Sequence, residues 1–533
     1  MQHTDGTTLR ITRTLGTEDE ATFNDHLYDW MGRAPWFAVS FVVHLLLYFV
    51  LAAIPWHHFD DQPRTIITAE MIQPPEELFV EPEEEEVEPL ETEPVVEPEV
   101  VERPVETQVE SESDADEDSE PSPFTSDAFN PLLGIGGGAG NPKSAKVGTR
   151  GVRKQSNNPY QPELMAGLLW LADHQSEDGS WDADDYMYEC DAEPPYANGK
   201  GNGAHDVGVT SLALLALMGY GDTRNDGRFA DNIRRGIGWL GRQQEPETGQ
   251  IGPRSSKEWI YDHALATLAL CEAQSGAPNP ILRRQAQRAV NFCARARADY
   301  GAWRYEVPNL GSADSSVTGW MVFALSAARD AGLTVDLSAL EDALTFLDEA
   351  TDGYGRTGYR QMGEGSSRPR HLIEQFPAEE TASLTAVGLL SRLFIADSLG
   401  LELDAVAGGS GGDCIALGVE RLLEHTPHWP TDLRPRGDES LPEGRGGVDH
   451  YGWYYGTYAL FQLSDRYPSA WREWERALES AVLPTQRVAP ACFVGSWDPI
   501  DPWSDQGGRV YSTALMVLCL EVHFRYGKLF GSR

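Results

Sequence analysis

The chain has 533 residues, with 83 Asp and Glu against 42 Lys and Arg and a formal net charge of −41. This length accommodates a large domain with its own core plus accessory segments. So acidic a chain repels a phosphate backbone, which argues against nucleic acid as a partner. The six cysteines (Cys190, Cys271, Cys293, Cys414, Cys492 and Cys519) form no CxxC or CxxxC pair, so neither a disulfide framework nor a thiolate zinc site is indicated. No P-loop, nucleophile elbow or dinucleotide fingerprint is present, and the expected complement of metals and cofactors is none.

In chain order, residues 1–34 read as a cytoplasmic segment and 35–56 as a transmembrane helix. The run WFAVSFVVHLLLYFVLAAI, from Trp36 to Ile54, is uncharged, long enough to cross a bilayer core, and bracketed by Trp36 and Trp56. It exceeds the apolar core of a cleaved signal peptide, and its preceding segment is too long for one. Arg10, Arg13 and Arg33 precede it and an acidic stretch follows, so the positive-inside bias places the N-terminus in the cytoplasm and the C-terminal region outside. Residues 57–158 read as a disordered linker, first acidic and Pro/Glu-rich, then Gly-rich and basic. Between Glu76 and Glu120 there are 21 acidic residues and one Arg, and such a segment buries too little apolar surface to offset its ordering entropy.

From 159 to 533 the pattern is repetitive. Six apolar segments rich in small residues (VGVTSLALLALMG, HALATLALCEAQSG, SSVTGWMVFALSAARDAG, TASLTAVGLLSRLFIADSLG, HYGWYYGTYALFQLS and RVYSTALMVLCLEVHFRYG) can be aligned through Ser211, Thr267, Gly319, Thr385, Thr457 and Thr513. Each follows a more amphipathic helical segment with apolar residues on one face. Six outer helices alternating with six buried inner ones predict an all-α, α6/α6 toroid of six helical hairpins.

The loops after the outer segments carry a family resemblance. GLLWLADHQSEDGSW places Gln175, Gly179 and Trp181 in the order of the QW motif; RGIGWLGRQQEPETG repeats it with Trp239 and Gln244, and Trp303 and Trp497 close two partial copies. In these loops the chain resembles the squalene cyclase and prenyltransferase repeat family, whose QW residues are structural. Its anchor and acidic proline-rich spacer resemble TonB-type energy transducers in layout alone.

The resemblance directs attention to the starts of the inner helices. Asp206, Asp262 and Asp314 recur there over the first three hairpins, with His205 and His263 beside two of them. They are either helix N-caps, a position Asp favours, or the catalytic rim of a cavity. The literal DxDD of Asp182, Asp184 and Asp185 lies in a loop and reads as solvated acid. In the family's cyclases aromatic faces line the cavity and hold carbocations, and the corresponding candidates are Trp320, Trp453, Tyr454, Tyr455, Tyr458 and Tyr511. Three functions remain open: a membrane-tethered domain binding a lipid, glycan or protein partner; a divergent terpenoid cyclase or prenyltransferase-like enzyme acting on an isoprenoid; and a glycan-active toroid enzyme with paired carboxylates. The charge asymmetry makes a direct prediction. In sealed right-side-out vesicles, added protease should remove the region after Trp56 and leave an N-terminal tag intact; full protection of the C-terminal region would contradict the assigned orientation.

Overall fold

The computed structural model describes residues 44–46, 160–298, 301–309, 311–408, 412–525 and 529. Apart from 44–46, which are helical, these all belong to one unit, 115–533. The expected segment 1–34, the linker 57–158 and nearly all of the transmembrane segment 35–56 therefore lie outside the described residues. Among the described residues, no helix is long and apolar enough to cross a membrane.

Twelve helices of ten or more residues alternate among the described residues, with isolated β-bridges but no strands. The outer set is α1 (Gln161–Asp173), α3 (Ala230–Arg242), α5 (Pro280–Arg295), α7 (Ser338–Ala350), α9 (Cys414–Leu423) and α11 (Pro468–Val482). The inner set is α2 (Asp206–Gly219), α4 (Trp259–Gly276), α6 (Ser315–Asp330), α8 (Ser383–Leu399), α10 (His450–Gln462) and α12 (Ser504–Leu520), followed by a short α13 (Val522–Arg525). The outer helices bury one stripe; the inner ones are buried nearly all round, as their small and apolar residues require. Each inner helix packs on the next, and α12 packs back on α2, so the inner ring closes on itself. This is the predicted α6/α6 toroid.

The loops that follow the outer helices hold the ring together. Trp181, Trp303 and Trp497 are completely buried, and each indole N–H donates to a carbonyl near the C-terminal end of the preceding outer helix: Leu171 O at 2.7 Å, Cys293 O at 2.8 Å and Val482 O at 2.8 Å. At these helix ends the carbonyls have few other partners: Leu171 O accepts from His174 N at 3.3 Å, Cys293 O from Ala296 N at 3.2 Å and Val482 O from Thr485 Oγ1 at 3.0 Å. The glutamine does a different job. Gln175 Nε2 donates to Gly179 O (2.9 Å) within its loop and to Asn232 O (3.0 Å) in α3. Gln244 likewise joins Gly249 O (3.2 Å) to Gln285 O (2.9 Å) in α5. An arginine of the next helix returns the bond in both: Arg235 to Gln175 Oε1 at 2.6 Å, and Arg288 to Gln244 Oε1 at 2.7 Å. Glutamine thus links a loop to the next hairpin, while tryptophan caps its own helix. Trp239 instead donates to Asp178 Oδ2 at 2.9 Å.

A third such link escapes a fixed-spacing search. Gln486 Nε2 donates to Gly495 O (2.9 Å) and to Glu163 O (2.7 Å) in α1, joining the last hairpin to the first. The loop glycines permit this close approach. Gly179 and Gly495 have φ of +101° and +95°, and a Cβ would stand 2.5 Å from Arg235 O and 2.2 Å from Ala166 O, respectively.

The true register of the inner helices runs through one further bond. The backbone N–H two residues beyond each loop glycine donates to an inner-helix side chain: Trp181 to Thr210 (2.8 Å), Ile251 to His263 Nδ1 (3.0 Å), Trp303 to Thr318 (3.3 Å), Thr357 to Thr385 (3.4 Å) and Trp497 to Thr513 (3.2 Å). The alignment through Ser211, Thr267 and Gly319 is therefore displaced from the structural one. Trp181→Ala should cost about 3–5 kcal/mol by the lost burial. Trp181→Phe, which keeps most of the ring but leaves Leu171 O only the 3.3 Å bond it accepts from His174 N, should cost about 0.5–1.5 kcal/mol. Chemical denaturation measures both, and a change of only a few tenths in the alanine variant would remove the tryptophan from this role.

Candidate functional site

A cavity of about 450 Å³ opens inside the ring, with side chains from the first turns of all six inner helices in its wall. A groove of about 720 Å³ runs beside α8 to α11, formed largely by the 425–449 loop. The central cavity is the stronger candidate because it is where the six repeats converge. At the far end of the ring, the buried Arg525 side chain donates to Glu272 (2.7 and 2.8 Å) and lies 3.2 Å from Glu521. Burial pushes Glu272 up to about 7 despite that arginine.

His205 and Asp262 form a hydrogen-bonded pair in the wall. His205 ends a short turn, Gly203–His205, whose Asn202 side chain accepts from Ala204 N at 3.1 Å, and this turn runs directly into α2. Asp262 stands on α4, and the missing side chain of Gly208 makes room for it: a Cβ there would meet Asp262 Oδ1 at 2.3 Å. Asp262 holds His205 Nδ1 through both carboxylate oxygens, at 3.1 and 3.0 Å. The other ring nitrogen, Nε2, is buried and makes no hydrogen bond of good geometry, although the Gln506 side chain of the same wall is close enough to support the imidazolium. Burial pulls the imidazole pKa down, but the hydrogen bond and charge of Asp262 outweigh it and the net shift is upward. A carboxylate fixing Nδ1 and leaving Nε2 without a well-formed hydrogen bond is the arrangement in which histidine transfers protons.

Asp314 is placed differently. It is the N-cap of α6, accepting from Val317 N at 2.8 Å. Tyr359 donates to its other oxygen at 3.2 Å, Tyr305 and Tyr359 share a hydrogen bond of 2.6 Å, and Arg304 stands 3.7 Å away. Tyr305, Tyr359 and Arg304 line the cavity; Asp314, fully buried, sits behind them. Burial pushes it up to about 7. The expected equivalence of the three acids fails. Asp206 and Asp314 both lie four residues before their register threonine, whereas Asp262 lies one before His263, and that offset turns Asp262 into the cavity. Asp206 accepts from Ala183 N at 2.9 Å and is not a cap; burial pushes it, too, up to about 7.

His263 is not a cavity residue. It occupies the threonine position of its repeat, contacts Cys293 Sγ and Thr267 Oγ1 at 3.4 Å each, and is held down to about 3 by burial. Of the aromatic candidates, Trp320 and Tyr511 line the cavity, and Tyr511 donates to Asp501 Oδ2 at 2.9 Å. Trp453 instead lines the outer groove. Tyr454 and Tyr455 pack against Trp320 at 5.8 and 5.2 Å, and Tyr458 donates to Leu518 O at 3.2 Å, so these three are core. Sequence reasoning missed Tyr261, Tyr305, Tyr359 and Tyr451, along with Lys257, Arg304 and Arg368, which is paired with Asp449 at 3.2 Å. Most of these lie on loops or within one residue of a helix start, where no periodic pattern marks them. The DxDD acids remain in their loop, where Asp182 Oδ1 accepts from the backbone of Asp184 and Asp185.

No family model matches this chain, and no curated protein matches it. Among solved structures, the GH76A α-1,6-mannanase of Salegentibacter sp. HEL1_6 is similar with a TM-score of 0.44 and 13% identity, over 68% of this chain and 98% of that one. The unsaturated glucuronyl hydrolase of Bacillus sp. GL1 aligns at 0.45 and 13%, over 70% and 100%. The type II terpene cyclase MstE of Scytonema aligns at 0.40 and 16%, over 68% and 96%. Likeness at this level assigns neither family nor activity.

The site predicts a pH dependence. A carboxyl whose folded pKa is raised binds more protons folded than unfolded, so Asp314 contributes a loss of stability as pH climbs from 3.8 to about 7. Asp314→Asn keeps an N-cap and removes that loss, so it should be more stable than wild type above this window by ~2–4 kcal/mol and not below it. Thermal denaturation across a pH series reads this out; an advantage confined to acid pH would contradict it.

Proposed function

We propose that the central cavity takes a hydroxyl-rich ligand carrying an anionic group, an acidic sugar or glycan end, and that His205 and Asp262 move a proton on it. The wall favours this over an isoprenoid. Lys257, Arg304 and Arg368 would oppose a carbocation rather than stabilise one, and Asp314, the acid that would have to protonate an alkene, is not at the wall. The same cations, with the N-terminal ends of the inner helices, favour an anion. Tyrosine and serine hydroxyls can bond sugar hydroxyls, while Trp320 and Trp503 supply flat faces. The observation that carries the proposal is the His205–Asp262 pair, with Nε2 making no hydrogen bond of good geometry, in a charged, aromatic cavity.

We further propose that the 36–54 run anchors the chain in a membrane and that the linker holds the toroid outside it. Acidic oligosaccharides screened by thermal shift should stabilise the protein, by ~2.7 kcal/mol at a hundredfold excess over Kd, whereas neutral oligosaccharides and isoprenoid diphosphates should not. Any turnover found should fall by roughly 10²–10⁴ in Asp262→Asn with ligand binding retained. Stabilisation by the isoprenoids alone, or turnover unchanged in Asp262→Asn, would overturn the proposal.

A further inference from the structure

A second cluster of chemically active side chains lies outside the cavity, where the first and last hairpins meet. His174 directly follows α1, Cys190 lies in the loop between α1 and α2, and Cys492 lies in the turn Ala491–Phe493 between α11 and α12. One donor atom from each falls within 4.8 Å of the others. His174 Nε2 is 3.4 Å from Cys492 Sγ. Nitrogen and sulfur ligands of a single tetrahedral zinc, at their usual bond lengths, stand ~3.5 Å apart.

The surroundings are those of a prepared ligand set. His174 Nδ1 is 2.7 Å from Trp170 O, so Nδ1 carries the proton and the Nε2 lone pair points at the sulfur. Zinc-binding histidines are oriented by this kind of bond. Trp170 stacks on the imidazole at 4.1 Å and donates its own indole N–H to Cys492 O at 2.8 Å, fixing both partners. Ala197 N donates to Cys492 Sγ at 3.2 Å, a bond that favours a thiolate, while burial pushes the metal-free thiol up to about 12. His174 and Cys492 are buried and Cys190 is half-buried. A chain of hydrogen bonds from Cys190 to Cys492 to His174 is the metal-free alternative for the same three residues.

We propose that His174, Cys190 and Cys492 bind Zn²⁺, with a fourth position open to water, and that the ion clasps the closure of the ring. As it binds, Cys190 and Cys492 each release a proton to solvent, and two thiolates neutralise the ion, so no net charge is buried. The crosslink spans residues 318 apart in the chain. The site is independent of the cavity reading above.

The full chain, purified under reducing conditions and dialysed with Zn²⁺, should carry about one zinc per chain by elemental mass spectrometry. Cobalt substitution should give sulfur-to-metal charge-transfer absorption. Cys190→Ser should lose the metal and Cys414→Ser, a cysteine elsewhere, should keep it. In unmutated protein, zinc should protect Cys190 from alkylation, which tests the site without any variant. Zinc no higher in wild type than in Cys190→Ser, no protection of Cys190, or a Cys190–Cys492 disulfide recovered from zinc-replete cells would overturn the proposal.

Discussion

The central cavity depends on the ring being closed, and closure rests on hydrogen bonds that reach from a loop into the next outer helix. A linear stack of hairpins would leave two apolar ends to be capped. Here Gln486 reaches α1 as Gln175 reaches α3 and Gln244 reaches α5, so the last hairpin joins the first by the device used between its neighbours. The tryptophans occupy the other half of the same loops, capping the helix just completed. Both halves require glycine, because the loop backbone lies against the backbone of the following helix.

Closure also determines the character of the cavity. The wall is built at the starts of the inner helices, where backbone amides and loop side chains are available, and it is therefore polar and charged. The opposite end is occupied by Arg525 with Glu272 and Glu521. Arg525 bridges the two carboxyls, burial pushes both of them up, and one Glu521 oxygen is buried without a hydrogen-bond partner. Between the two ends, Tyr454, Tyr455 and Phe323 fill the interior around Trp320.

The helices and their alternation were legible in the sequence because the 3.6-residue period of the outer segments and the all-round apolar character of the inner ones are local properties. The loop tryptophans were legible for the same reason. What misled was register. Asp206, Asp262 and Asp314 looked equivalent because their steps of 56 and 52 residues match those of Ser211, Thr267 and Gly319; the structural register, from Thr210 to His263 to Thr318, steps by 53 and 55, and only Asp262 faces the cavity. His263 resembled a partner for an acid but replaces a threonine as acceptor for Ile251 N. Gln486 was hidden because its loop to Trp497 is longer than the one from Gln175 to Trp181. Four aromatics close together on α10 indicated a lining that Tyr451, one residue past the helix start, supplies instead. Cys190 and Cys492 carry no recognisable spacing, because only ring closure brings them together.

Native-state hydrogen exchange tests closure most directly. In a closed ring no hairpin is terminal, so amides of α2 and α12 should exchange as slowly as those of α6, all through the same global opening. Terminal hairpins that exchange well before α6 would show a stack open between α12 and α2, and would contradict both the ring and the cavity it encloses.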